Sequence, residues 1–462
     1  MEKIVNYYQN LSNNVNNLIN KRYFYEIYVA ILMLISLLGF TYSTIIGLSI
    51  LIIISFIMLI MTFDISVTIP VTTFILFVIN SGFQNDEIPI VLIIFGIIYV
   101  LMLVIFSFKN GFKFKKMRSF YGLLGLAIMN IIPIFYSSHI PSENSILYFL
   151  FFLDLCYFLV YIIYVNGINK NSIKILSISM SYLCLLLSLE CFVMVLRLKD
   201  TVENIFDLWY YMGWGLCNEA GIMICFSLPF IFYLMAKCDN KKMLIINNAK
   251  VIIALVGILL TTSRGSYIFG FIEIIGLYLI IIFNGKLKKE IKLMIIAQGI
   301  VAFILVIAFS GSIVDVVDTV FPKGLDNNGR INLFKEAIEV WKKDGLNIVF
   351  GGGYNAVLKT LTTAFGKQLA PQVFHSTFFE TLAIGGIFGV IMLIVHFTEK
   401  YYNLYKMDKV FMIIIGFGYI VVDTYGMIDN TYHMYYYMIP LVITLSCIDT
   451  AIYYRNEDIS EG

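Results

Sequence analysis

The sequence predicts an all-α protein that crosses a membrane about fourteen times, with one long extracytoplasmic connector. Three observations predict it. Hydrophobic residues make up 60% of the chain and charged residues only 13%, where a soluble domain carries about 25% charge. Mean hydropathy is +0.87. Apolar runs of about 20 residues, the length that spans a bilayer as a helix, recur through all 462 residues and leave no room for a large soluble domain.

The elements follow in order. The opening "MEKIVNYYQNLSNNVNNLINKR" is polar, lacks the apolar core and small-residue cleavage site of a secretory signal, and is expected to remain as a cytoplasmic tail. Candidate spans then fall at 23–40, 43–63, 66–82, 88–107, 119–137, 145–166, 175–196, 210–236, 246–262, 267–284 and 293–310, with three more at 376–398, 410–427 and 431–450. The span at 246–262, between "NNAK" and "TTSRG", is expected to be short or broken. The organisation is therefore N-terminal helices to residue 310, a connector over 311–374, and C-terminal helices with a short tail over 375–462.

Charge orients this array. Short loops rich in Lys and Arg stay in the cytoplasm, and alternate connectors here are basic: the N-terminal tail, "KNGFKFKKMRS", 167–174, 237–250, "GKLKKEIK", 399–409 and Arg455 hold 22 of the 32 basic residues. The short loops of the opposite side hold two, Arg197 and Lys199. Long loops are exempt from the rule, so the connector is placed outside the membrane and both termini in the cytoplasm. The net charge of +2 gives no reason to invoke nucleic acid. Seven cysteines, several inside apolar runs and none in a CxxC pair, read as small core residues rather than a disulfide or metal framework.

The connector is the one substantial polar segment. In "RINLFKEAIEVWKKDG", Leu333, Phe334, Ala337, Ile338 and Trp341 recur on one face of a helix that Gly345 stops, so an amphipathic helix lies on the membrane or over a cavity. The following "FGGGYNA" is a glycine-rich turn without the lysine and hydroxyl of a phosphate loop; it either returns the chain tightly to the membrane or approaches a ligand.

Span parity then places three residues at the outer face: Arg264 in "LLTTSRGSYIFG", Arg330 in the connector, and His375, one of only four histidines, opening the next span. Each has a plain alternative, respectively an interfacial anchor, a solvated charge and a helix cap. Carboxylates in a membrane are costly and by default mark a cavity or pathway. Glu190, Glu219, Glu273, Glu380 and Asp423 lie toward the outer ends of their spans, Asp154 near mid-membrane and Asp64 at a cytoplasmic turn. Trp209, Tyr210, Tyr211 and Trp214 beside Glu219 supply either an aromatic belt or sugar-stacking faces.

Two helices beginning near Ser266 and His375 would point their N-termini outward, so free amides and dipole ends could meet an anion such as a pyrophosphate beside the arginines. His375 could then deprotonate a hydroxyl while two arginines stabilise a leaving phosphate, a transfer that needs no metal. The acids of "VDVVD" make a poor cation site. The candidate catalytic residues are thus His375, Arg264 and Arg330. Candidate substrate-binding residues are Ser263, Ser266, Glu219, Trp214, Glu380, Gly352 and Tyr354; no metal ligand or cofactor site is proposed.

The order "TTSRGS", then "NNGRINLFKEAIEVW…FGGGYNA", then "HSTFFETLAIGGIFG" resembles the O-antigen ligase and polymerase superfamily of bacterial polysaccharide assembly, with the motifs running from about Leu259 to Gly389. The resemblance implies a multi-span, metal-independent glycosyltransferase whose functional arginines and histidine map onto Arg264, Arg330 and His375. It implies an undecaprenyl-diphosphate-linked glycan and membrane lipids as partners, with other polysaccharide assembly proteins besides. Where members often carry asparagine after the histidine, Ser376 stands here. The expected reaction is polymerisation of capsular or O-antigen repeat units, the alternative being ligase-type transfer of finished glycan to lipid or protein. A polysaccharide transporter or flippase is the reading from another class; the lack of internal repeats and the one-sided charge count against it.

Overall fold

The computed structural model describes residues 21–79, 90–109, 117–136, 145–168, 171–203, 208–283 and 329–460, apart from residues 209, 213, 214, 239, 357, 364, 365, 372, 373 and 433, with a few isolated residues elsewhere. Hydrocarbon offers a backbone no hydrogen-bond partner, so apolar spans must satisfy their amides internally, and they do so as helices. In chain order these are α1 (Arg22–Thr41), α2 (Thr44–Thr62), α3 (Ile69–Phe74) flanked by single 3₁₀ turns, α4 (Ile90–Lys109), α5 (Phe120–Ile131), α6 (Ser145–Gly167) and α7 (Ser172–Leu198). A small hairpin, β1 (Tyr211–Met212) with β2 (Gly215–Leu216), precedes α8 (Cys217–Ala236), α9 (Lys241–Leu260) and α10 (Arg264–Phe283). The connector supplies α11 (Arg330–Trp341), α12 (Gly345–Phe350), α13 (Gly353–Ala356) and an antiparallel hairpin, β3 (Leu358–Thr363) with β4 (Gly366–Pro371). Last come α14 (Thr377–Lys406), α15 (Lys409–Gly426) and α16 (Tyr435–Ser460).

Thirteen of the fourteen expected spans fall on helical segments, and among the described residues nine of these are long and apolar enough to cross a membrane. The span expected at 293–310 lies outside the described residues. Four expectations change. The segment at 246–262 is the unbroken helix α9 of 20 residues. The one at 210–236 becomes helical only at Cys217, after the hairpin. The connector holds a six-residue-per-strand hairpin that the all-α reading lacked. Finally Lys250 and Lys400, assigned to cytoplasmic connectors, are buried inside α9 and α14, where each has partners; without them the charge bias between connectors keeps its sign.

The chain divides into two compact units, and each interleaves distant parts of the sequence. In the first (residues 1–111, 171–326 and 408–422) α7 is the buried centre, packed by α1, α8 and α9. Its serines return their hydroxyls to carbonyls one turn back, as Ser177, Ser179 and Ser188 do, and so leave no orphan donor in an apolar setting. Lys250 reaches the Ser181 hydroxyl at 3.1 Å and sits 3.7 Å from the centre of the Tyr182 ring, a hydrogen bond and a cation–π contact that offset part of its desolvation. Six of the seven cysteines are buried, and all are free.

The second unit (residues 112–170, 327–407 and 423–462) is built on α14, which packs against α5, α11 and α12, while α16 packs against α6. The amphipathic helix does not stand free. Ala337 is buried against Phe374 and Ala383, Leu333 and Val340 flank them, and Phe334 stacks on Phe379 with ring centres 4.4 Å apart. Thus α11 docks on the first turns of α14. The glycine-rich turn meets α14 as well, because Gly386 (φ 60°, ψ −154°) breaks that helix and the backbone of Gly351 (φ 77°) approaches the break. The Gly352 amide donates to Ala383 O at 2.8 Å. A Cβ on Gly351 would stand 2.1 Å from Ile384 O. Gly351→Ala is therefore expected to lower the melting temperature in detergent, losing roughly 1–3 kcal/mol from the left-handed backbone alone. Gly345→Ala, where an added methyl meets open space, should stay within about 0.5 kcal/mol; equal melting temperatures for the two would contradict the close approach.

Candidate active site

Two side chains of the second unit converge on one carboxylate, that of Asp429. His375 Nδ1 lies 3.2 Å from Asp429 Oδ1, and Arg330 Nη2 lies 3.6 Å from Asp429 Oδ2. Each is delivered by a different element. Arg330 is the first residue of α11, and the docking of α11 on α14 brings it to the start of that helix. His375 stands two residues before α14. Asp429 belongs to the loop between α15 and α16, latched to α14 by Thr431: its hydroxyl lies 3.2 Å from that of Thr377, and its amide donates to Thr377 Oγ1 at 3.3 Å.

Exposure is graded across the trio, at 39% for the His375 side chain, 27% for Arg330 and 9% for Asp429. A substrate can reach the imidazole and the guanidinium but not the carboxylate beneath them. A carboxylate only accepts hydrogen bonds, so this contact puts the ring proton on Nδ1 and leaves Nε2 with a free lone pair. Asp429 thus does for His375 what the acid of a catalytic triad does for its histidine, fixing tautomer and orientation. The guanidinium, with donors to spare, presents positive charge beside that ring.

His375 has φ +49°, a left-handed backbone that costs a side-chain-bearing residue about 1–2 kcal/mol. In the first unit Thr262, of "TTSRGS", has φ +53°. In each motif a serine follows and caps the next helix. Ser376 Oγ accepts from the Phe379 amide at 3.5 Å, and Ser263 Oγ from the Ser266 amide at 3.3 Å. The left-handed turn and the serine together start α14 and α10 abruptly, which sets His375 and Arg264 at the ends of their helices. Arg264 is half-buried as the first residue of α10, and Glu219 lies in the first turn of α8, also half-buried.

The structure gives several other predicted site residues local partners. Ser263 is a cap, and the buried Ser266 fits against Gly221, where an added Cβ would sit 1.7 Å from its hydroxyl. Glu380 is buried and its Oε2 accepts from the Phe374 amide at 2.8 Å, holding the approach to α14. Gly352 is tied to Ala383. Tyr354 is buried, and burial, with the negative charges of Asp154 and Glu380, pushes its phenol well above the usual range, so it remains a donor at neutral pH. Trp214 lies outside the described residues. Of the other carboxylates, Asp154 pairs with Asn130, Asp423 with Lys400, and Asp64 caps Ser66. The residue that sequence reasoning missed is Asp429. Its only signal was a carboxylate in a short polar loop, "MIDNTYHM", on the side that parity assigns to His375 and Arg330.

No curated protein matches the chain. Residues 249–394, which hold Arg264, Arg330 and His375 and the motifs quoted above, match the family model described as O-antigen ligase.

Proposed function

We propose that this membrane protein transfers glycan from a polyprenyl-diphosphate-linked donor at the outer face of the bacterial cytoplasmic membrane. The observation that supports it most is the approach of His375 and Arg330 to Asp429 at 3.2 and 3.6 Å, within the segment related to O-antigen ligases and its neighbouring loop. His375 Nε2 takes the proton of an acceptor hydroxyl, whose oxygen bonds to the anomeric carbon of the donor glycan. The bond from that carbon to the diphosphate breaks, and the polyprenyl diphosphate leaves with the bonding pair. Arg330 steadies the charge growing on it. Arg264 enters this reading through its place in "TTSRGS" and its predicted sidedness. The chemistry asks for no metal and no cofactor.

Within this reaction the acceptor is a second lipid-linked repeat unit, so the chain polymerises capsular or O-antigen polysaccharide. The polar connector and the many spans favour this by analogy. The family description favours the second reading, transfer of finished glycan to lipid or protein. Purified protein given only lipid-linked repeat units, in EDTA, should build a ladder of lipid-linked oligomers. A ladder that forms only when a divalent cation is returned would remove the metal-free mechanism. Turnover only after a lipid or protein acceptor is added would establish the ligase instead.

Sidedness has its own check. Lys343, between α11 and α12, and Lys409, at the start of α15, are both exposed. A cysteine replacing Lys343 should react with an impermeant maleimide in intact spheroplasts, and one replacing Lys409 should react only after lysis. The reverse pattern would invert the topology and separate His375 from an external substrate.

A further inference from the structure

Beneath the Asp429 loop lies an ion pair that the transfer chemistry leaves unused. Lys400, well inside α14 and fully buried, bonds Asp423 at the end of α15 and donates to the Tyr432 hydroxyl at 2.8 Å. Tyr401 donates to Asp423 Oδ2 at 2.6 Å, and Tyr432 lies 3.4 Å from the other carboxylate oxygen. The Tyr432 ring is held edge-on by His396, Phe397 and Tyr437. An ammonium in this setting is expensive to bury unless paired, and a pair of apolar side chains could fill the same space as stably. Its placement suggests what it is for. Asp423 and Tyr432 bracket the chain segment that carries Asp429, and one ammonium from α14 ties the two brackets together. The same helix holds the loop a second time through Thr377 and Thr431, next to His375.

We propose that Lys400 is a positioning residue for the transfer reaction: by joining Asp423 to Tyr432 it closes the loop that presents Asp429 to His375 and Arg330. The inference rests on the reading of His375 as the base and Asp429 as its orienting acid. Lys400 touches no reacting atom, so its removal should act on turnover and not on donor binding.

The test is a cycle of substitutions in the purified full-length protein. Tyr432→Phe keeps the ring and its packing and removes only the hydroxyl. The double change Lys400→Met with Asp423→Asn removes both charges and so leaves neither stranded. Each should lower kcat about tenfold or more with the donor KM and melting temperature unchanged, the scale seen when a supporting contact behind a functional side chain is lost. In an Asp429→Ala background, neither should lower the residual kcat further, because the element they position is already gone. Losses that multiply with that of Asp429→Ala, or a wild-type kcat in Tyr432→Phe, would overturn the inference and leave the transfer reading standing. Should the double change fail to reach the membrane, Tyr432→Phe alone decides. Wild-type turnover in Asp429→Ala would instead sink the account of the Asp429 site, and this inference with it.

Discussion

Replacing His375 should lower glycan transfer by about 10²–10⁴-fold, the usual cost of removing a general base, while the donor binds as before. The imidazole is the more exposed of the two groups at Asp429, and in the proposed reaction it acts only as the acceptor hydroxyl loses its proton. The choice of replacement matters. His375 occupies a left-handed backbone, where alanine adds strain but asparagine is tolerated. His375→Asn therefore separates the chemistry from the fold, and it should be as inactive as His375→Ala while melting at a temperature closer to wild type. Arg197→Ala is the control: that arginine is exposed, binds the carbonyl of Thr41 and lies in the other unit. It should leave activity largely intact. An active His375→Asn would reduce the histidine to a turn residue before a helix.

Replacing Arg330 should damage both binding and turnover. Its guanidinium offers charge-assisted hydrogen bonds to the donor diphosphate, each worth roughly 1.5–3 kcal/mol, so Arg330→Ala should raise the donor Kd about 10- to 100-fold. The same substitution takes the cation from beside Asp429 and should lower kcat as well. Arg330→Lys keeps the charge without the planar fork and should recover only part of either loss. Arg264→Ala, which leaves the Asp429 contacts in place, is expected to weaken donor binding with a smaller effect on kcat. Isothermal binding of a lipid-linked disaccharide, measured alongside turnover, separates the two parameters; a normal Kd in Arg330→Ala would detach that residue from the diphosphate.

The helices were legible because the bilayer permits little else for an apolar run of 20 residues. The amphipathic connector helix was equally readable from the spacing of Leu333, Ala337 and Trp341, though its docking partner was not, since Ala383 and Phe379 look like ordinary span residues until α11 covers them. Hydropathy misplaced Lys400 for a related reason: a charge near the end of an apolar run is assigned to a loop by default, whereas the helix continues to Lys406 and Lys400 is buried against Asp423. The hairpin over "LKTLTTAFGKQLAP" has too weak an alternation to stand out from a polar loop. Asp429 was hidden most deeply. Its meaning arises from the docking of α11 on α14 and the latch at Thr431, contacts between residues about 45 to 100 positions apart that no local pattern encodes. In contrast, the glycines of "FGGGYNA" announced a close approach, and the structure supplies its target at Gly386.

In the proposed reaction His375, held by Asp429, drives group transfer rather than transport. It is tested most directly by following the leaving group in proteoliposomes made with purified protein and a lipid-linked glycan, with no ion gradient. Free polyprenyl diphosphate should be released in step with each glycosidic bond formed, at a rate that falls about 10²-fold or more in His375→Asn. Relocation of intact lipid-linked glycan across the bilayer, with no diphosphate released, would contradict it.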